Sequence, residues 1–344
     1  MKPRLQNKVA GSELTLPVCA AAAALLWWLP RRGLFLPDIL GFAVCLLTTY
    51  VIMETNARHH LIRVRSQMTA CVWLVLSACL AFMHPLREPL AAAALLALAY
   101  MLLFRCYQRH RPEAYVFHAF LMLGAGSFLA PVMLPMGVLF FIYLGTFLRS
   151  LTWRSFWAGM LGLAVPYWCF GIWCFFTEDE FIYNCPLSIV RCPLNIDEWG
   201  HLCRGFFLDL MEWPCRTWER LSLPLGGVGR ELFSAAAVIL LALVGSTHFL
   251  RTKFDDKIRV RMILYIYVVQ TFLLTALLLL HPSGYERTMA LLVVSAAPLV
   301  AHYFSLSRSP LTTAFLLLAL LLVAAMAVLN LWPGAMPFLL DILP

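Results

Sequence analysis

The stretch LTTAFLLLALLLVAAMAVLNL, residues 311–331, runs without one acidic or basic side chain. A helix needs about 20 predominantly apolar residues to cross the hydrocarbon of a bilayer, and this stretch meets that length unaided. No amphipathic spacing interrupts it, so no face of the helix is reserved for water. Its solvent is expected to be lipid.

Working outward, comparable apolar windows occur at 14–29, 34–53, 68–83, 90–104, 114–129, 132–148, 156–176, 232–250, 262–280 and 288–304. The chain of 344 residues is 62% hydrophobic and 13% charged. A soluble domain is roughly 45–50% apolar and about 25% charged. The expected fold is therefore an all-α polytopic transmembrane bundle of about eleven spans. Several windows are shorter than a bilayer requires, and these must borrow flanking residues, thin the bilayer or lie inside the bundle. The windows 114–129 and 132–148, joined through Ala130-Pro131, read either as two spans or as a re-entrant hairpin.

The first window follows Lys2, Arg4 and Lys8 and ends in Trp27-Trp28-Leu29-Pro30-Arg31-Arg32, with no small-residue cleavage site. It reads as an uncleaved first span. Orientation follows from counting Lys and Arg in the short loops. A cytoplasmic N-terminus leaves 17 of them inside and 4 outside (Arg31, Arg32, Arg87 and Arg287). The expected location is thus the inner, cytoplasmic membrane, N-terminus inside. The net charge of +8 belongs to those loops and to an anionic leaflet. No basic domain or nucleic-acid motif is present, so nucleic acid is not an expected partner. Trp27, Trp28, Trp153, Trp157, Trp173 and Trp332 lie near span ends and read as interfacial anchors.

Three regions result: a membrane bundle over 1–176, an extracytoplasmic loop over 177–230, and a second bundle over 231–344. The loop carries Cys185, Cys192, Cys203 and Cys215. On an oxidising side these are expected to form two disulfides, with three pairings open. The remaining cysteines read as small apolar packing residues. From Asn195, a plausible N-cap, Ile196, Trp199, Cys203, Phe206 and Leu210 recur at helical spacing. Such a helix lies in the headgroup plane or packs on the bundle's rim, and Pro214 ends it.

Chemistry-bearing residues cluster at the expected outer face. Glu178-Asp179-Glu180 opens the loop and offers a general base or ligands for a divalent metal, the candidate cofactor. The same run also reads as a solvated helix end. Asp38 stands near the outer end of the second span, as a further acid or as the ion-pair partner of Arg31 and Arg32. His281, Tyr285, Glu286 and Arg287 crowd a short loop suited to a sugar or a phosphate, with Arg287 supplying a planar fork. That loop also reads as a turn with an anchoring arginine. No metal-ligand motif, P-loop or nucleophile elbow is present. Acids well inside the spans are scarce, and His118, His248 and His302 read as isolated packing residues, which argues against ion-coupled transport.

Two stretches carry resemblances. From His84 to Pro166 the chain holds Phe104-Arg105-Cys106-Tyr107, Gly126-Ser127-Phe128-Leu129-Ala130-Pro131 and Phe147-Leu148-Arg149-Ser150-Leu151-Thr152-Trp153-Arg154. This resembles a family of uncharacterised bacterial polytopic inner-membrane proteins. Tyr285-Glu286-Arg287-Thr288, running through Pro298 to Tyr303, is similar to a late span of the GT-C glycosyltransferases. That resemblance implies outside-facing transfer on polyprenyl-phosphate sugars in envelope biogenesis. Arg287, Tyr285, His281 and Glu286 would hold the substrate, and an acid among Glu178, Asp179, Glu180 and Asp38 would act as base or metal ligand. GT-C enzymes carry their acid in a sizeable first outer loop, whereas here that loop spans 30–33 and Asp38 is the one acid near it. The alternative expectations are a non-enzymatic assembly scaffold, whose outer helix docks a partner, and thirdly a transporter.

Overall fold

The computed structural model describes residues 11–12, 14–28, 36–62, 66–176, 227–280, 284–306 and 311–332. Glu178–Glu180, the helix expected from Asn195, Cys185, Cys192, Cys203, Cys215 and His281 lie outside these residues. Among the described residues the chain forms helices and no strand. Eleven α-helices occur among these residues: α1 Thr15–Trp28, α2 Leu36–His59, α3 Met68–Ala78, α4 Glu88–Phe104, α5 Glu113–Ser127, α6 Met133–Thr146, α7 Trp153–Phe176, α8 Gly227–Thr252, α9 Ile258–Leu280, α10 Tyr285–Leu306 and α11 Leu311–Leu331.

Each apolar window of the sequence falls on one of these helices. In an apolar solvent a helix is the one local structure that satisfies every backbone N–H and C=O within a single segment. Among the described residues six helices, α2 and α7 to α11, are long and apolar enough to cross a membrane. This is compatible with an integral, multi-pass membrane protein. The window 68–83 gives only the 11 residues of α3, because Leu80 turns extended before the 3-10 turn Ala81–Met83. The pair flanking Pro131 forms α5 and α6, of 15 and 14 residues.

Two compact units can be distinguished, each discontinuous in sequence. The first comprises Met1–Leu86, Leu223–Thr275 and Leu292–Pro344, and the second Arg87–Ser222 and Ala276–Leu291. In the first, α3 packs against α1 and α2, and α11 packs against α8. Trp27, expected at the membrane interface, is instead fully buried. Its ring stacks on His84 at 4.2 Å, and its Nε1 donates to the Asp38 carbonyl at 3.2 Å. The chain folds back over α1 at that level and takes the indole from the surface. Trp153 and Trp157 remain exposed, as an interfacial anchor requires. Gly245 lets α8 approach α10 closely, since a Cβ there would lie 2.7 Å from the Leu299 carbonyl oxygen.

His302 is not isolated. Its Nε2 lies 3.1 Å from Asp256 Oδ2, and the ring of His248 is 5.9 Å away between centroids. Residues 46 positions apart meet because the turn after α8 returns the chain to α10. His118 bonds only locally, its Nδ1 against the Ala114 carbonyl one turn back, but it is exposed and not a packing residue.

In the second unit α5 is the central element and packs against α4, α6 and α7. A Cβ on Gly124 would lie 2.7 Å from the Leu163 carbonyl oxygen, so α5 and α7 touch through backbone. Small residues permit such contacts where lipid gives helices no hydrophobic reason to associate. Ser127 and Tyr167 share a hydrogen bond of 2.5 Å across the same contact. Beyond α4, Cys106 is buried, and burial pushes its thiol up to about 12 against the opposing pull of Arg109. Cys45, Cys71 and Cys79 are buried too, as packing residues should be, while Cys169 is exposed.

Candidate functional site

Of the residues nominated from the sequence, Asp38, Tyr285, Glu286 and Arg287 are described. Asp38 occupies the first turn of α2, where an acid complements the positive end of the helix dipole. Its side chain is buried, at 2% exposure. Asp38 belongs to the first compact unit and Arg287 to the second. Within the second unit Arg287 finds a different acid. Its guanidinium donates to the Glu88 carboxylate, a partner 199 residues away.

Local sequence explains both positions. Arg87 is extended at φ −131° and ψ 175°, so the helix cannot begin before Glu88. Pro89 then sits where its missing N–H is no loss, and Glu88 lies at the positive end of the dipole. The start of α10 repeats the pattern, with Glu286 in its first turn. The ion pair thus joins the N-terminal turns of α4 and α10. Each terminus carries backbone N–H groups with no partner inside its own helix, and such termini favour anions.

Arg287 retains 42% and Glu88 27% side-chain exposure. A guanidinium has five donors, so one bond to Glu88 leaves others for a ligand. At this exposure water weakens the pair, and it contributes no more than about 1 kcal/mol to stability. Arg87 and Glu286 are exposed beside it in sequence. The arrangement can bind an oxyanion through Arg287 and the helix termini. Glu88 can accept a proton from a hydroxyl group held next to that oxyanion.

Glu88 was missed because it reads as a helix-start residue. A signal existed: it is the acid of a short loop that the expected order of eleven spans assigns to the same side as Arg287. Among the described residues no group of three or more His, Cys, Asp or Glu side chains has the arrangement of a metal site. Comparison with known proteins returned no match, whether to family models, to curated proteins or to solved structures.

Proposed function

We propose that this integral membrane protein handles a lipid-linked, phosphate-bearing glycan at the outer face of the inner membrane, with Arg287 and Glu88 at the reacting centre. The observation that carries the reading is the half-exposed Arg287–Glu88 pair between two helix N-termini. A polyprenyl-phosphate substrate needs a cation for its phosphate and an acid-derived base near it, at headgroup depth. Arg287 supplies the first. Glu88 supplies the second, in the role that the sequence reading gave to Glu178, Asp179, Glu180 or Asp38. Chain order with an inside N-terminus and eleven spans puts both residues on the outer face. The GT-C resemblance around Tyr285–Tyr303 supports the same substrate class.

The test is binding to the full-length protein in nanodiscs, with a long-chain polyprenyl phosphate compared against the matching polyprenol. The phosphate form is expected to bind at least tenfold more tightly, which is about 1.4 kcal/mol. Arg287→Ala should erase the difference while the protein stays folded. Arg287→Lys should restore part of it, because the charge returns without the planar fork. Equal binding of the two lipids would refute the reading. The pair would then be an anchoring ion pair, and a scaffold whose outer loop docks a protein partner would take its place.

A further inference from the structure

The second compact unit carries another charged feature, at the opposite end of α4 from Glu88. From Pro89 to Thr177 the chain holds Arg105, Arg109, Arg111, Arg149 and Arg154, and Glu113 is its one acid. These arginines lie in two places: the segment after α4, and the loop between α6 and α7 with the first turn of α7. The backbone joins the two, because the Gln108 N–H donates to the Leu148 carbonyl at 3.1 Å. Helix α4 has 17 residues and is about 25 Å long, so this end is remote from the Glu88–Arg287 pair.

Two of the arginines share one ring. The guanidinium carbons of Arg109 and Arg105 lie over Tyr115, at 4.7 and 5.9 Å from its centroid. A ring face fixes a guanidinium and leaves most of its five N–H donors unused. Two like charges gathered in this way repel each other. No acid offsets them: among the described residues none of the five arginines is ion-paired. The joined loop is fixed as well. Arg149 has φ 49° and Gln108 has φ 50°, a left-handed backbone that costs a non-glycine residue energy and persists where neighbours impose it. Here the Ser150 N–H bonds the Leu144 carbonyl at 2.9 Å. The Ser155 hydroxyl accepts from the Thr152 N–H at 2.7 Å and donates to the Ser150 carbonyl at 3.2 Å. Arg109, Arg111, Arg149 and Arg154 are exposed. Beside Arg154, Trp153 and Trp157 are exposed too, edge to face at 5.6 Å, as is Leu151.

We infer that this end of the second unit binds an anionic phospholipid: Arg105 and Arg109 on Tyr115, with Arg149 of the joined loop, hold its phosphodiester, and Leu151, Trp153 and Trp157 meet its acyl chains. A guanidinium matches a phosphate with two parallel N–H bonds. The occupant is a lipid because exposed apolar side chains flank the cations at the start of α7, a helix long and apolar enough to cross a membrane. A soluble phosphate would gain nothing from them. A zwitterionic headgroup carries the same phosphodiester, but its own ammonium offsets the charge, so a net anionic lipid is selected. A basic loop that served only to orient the chain needs charge near the membrane. It needs neither a shared ring nor a second loop bonded to the first.

The test titrates the full-length protein in detergent micelles with phosphatidylglycerol or phosphatidylcholine and reads bound lipid by native mass spectrometry. Phosphatidylglycerol is expected to bind at least about tenfold more tightly. Arg109→Ala combined with Arg149→Ala should abolish that preference. The unfolding midpoint of this double variant should match the wild type in phosphatidylcholine nanodiscs, and it should lack the rise that phosphatidylglycerol gives the wild type. Arg251→Ala removes an exposed charge of the first unit and should leave the preference intact. Equal binding of the two lipids overturns the proposal. An equal loss from Arg251→Ala overturns it too, because the attraction would then be diffuse. A double-variant midpoint that falls equally in both lipids makes the arginines part of the fold and overturns the site. Displacement of the lipid by millimolar glycerol phosphate would assign the cradle to a soluble anion and overturn the lipid as occupant. The polyprenyl-phosphate reading turns on Arg287 and this site on Arg109 and Arg149, so the two fail separately.

Discussion

Helices α10 and α11 follow one another in sequence and are nearly equal in length, with 22 and 21 residues. The apolar window of α10 is 89% buried, whereas that of α11 is 28% buried. The more hydropathic helix is the more exposed one. In a water-soluble protein the order would be reversed. Where lipid is the solvent, the helix facing outward must be apolar all round, and the helix inside can carry polar groups. Thr288, Ser295 and His302 recur every seven residues on α10, all buried, and so share one face over about 21 Å. On α11, Leu317, Leu320 and Leu321 face outward. Hydropathy identifies both as long and apolar enough to span a membrane, and burial separates them.

The sharpest way to break this comparison is a matched truncation. Leu292 is fully buried on α10 and Leu320 is exposed on α11. Leu292→Ala should cost about 2–5 kcal/mol, because a packed interior cannot close the cavity. Leu320→Ala should stay within about 0.5 kcal/mol, since it meets only the surroundings. Unfolding midpoints in mixed micelles measure both. Equal losses would mean that α11 is covered and that the contrast between the helices is false.

A smaller effect is expected at the contact that holds α10 in place. Gly245→Ala puts a methyl group 2.7 Å from backbone atoms of Leu299, and backbone cannot swing aside. The expected cost is about 1–3 kcal/mol, read as a lower unfolding midpoint and less monodisperse protein on gel filtration. A neutral result would show that α8 and α10 are separated more widely.

The smallest effect concerns a polar anchor near the end of α11. Asn330 Nδ2 donates to Ser234 Oγ and to the Met326 carbonyl, both at 2.9 Å. Hydrogen bonds between membrane helices average only about 0.6 kcal/mol. Asn330→Ala should lower the midpoint by about that much, and Asn330→Leu by more, because the added bulk meets buried Ser234. A large loss from Asn330→Ala would move α11 toward the interior class.

The candidate sites follow the same division. Arg287 was legible, because a basic residue in a short loop stands out against apolar flanks. Its partner was not, because Glu88 in the first turn of a helix is explained locally by the dipole. His302 read as an isolated packing residue, and only its meeting with Asp256 makes a buried acid–base pair. Trp27 erred in the opposite direction: its position in the chain suggested an interface, and the fold covered it with His84.

The sequence by itself determined the solvent, the helical class and where the helices run. Those depend on transfer free energy and on backbone hydrogen bonding within one segment, which are local quantities summed over about 20 residues. Only the tertiary structure decided which span is interior, which acid meets Arg287, and that His302 faces Asp256. Those depend on which helices touch and at what depth. Close approach at a few small residues such as Gly245 and Gly124 sets that choice, because dispersion contacts at short range, and not hydrophobicity, drive helix association in lipid.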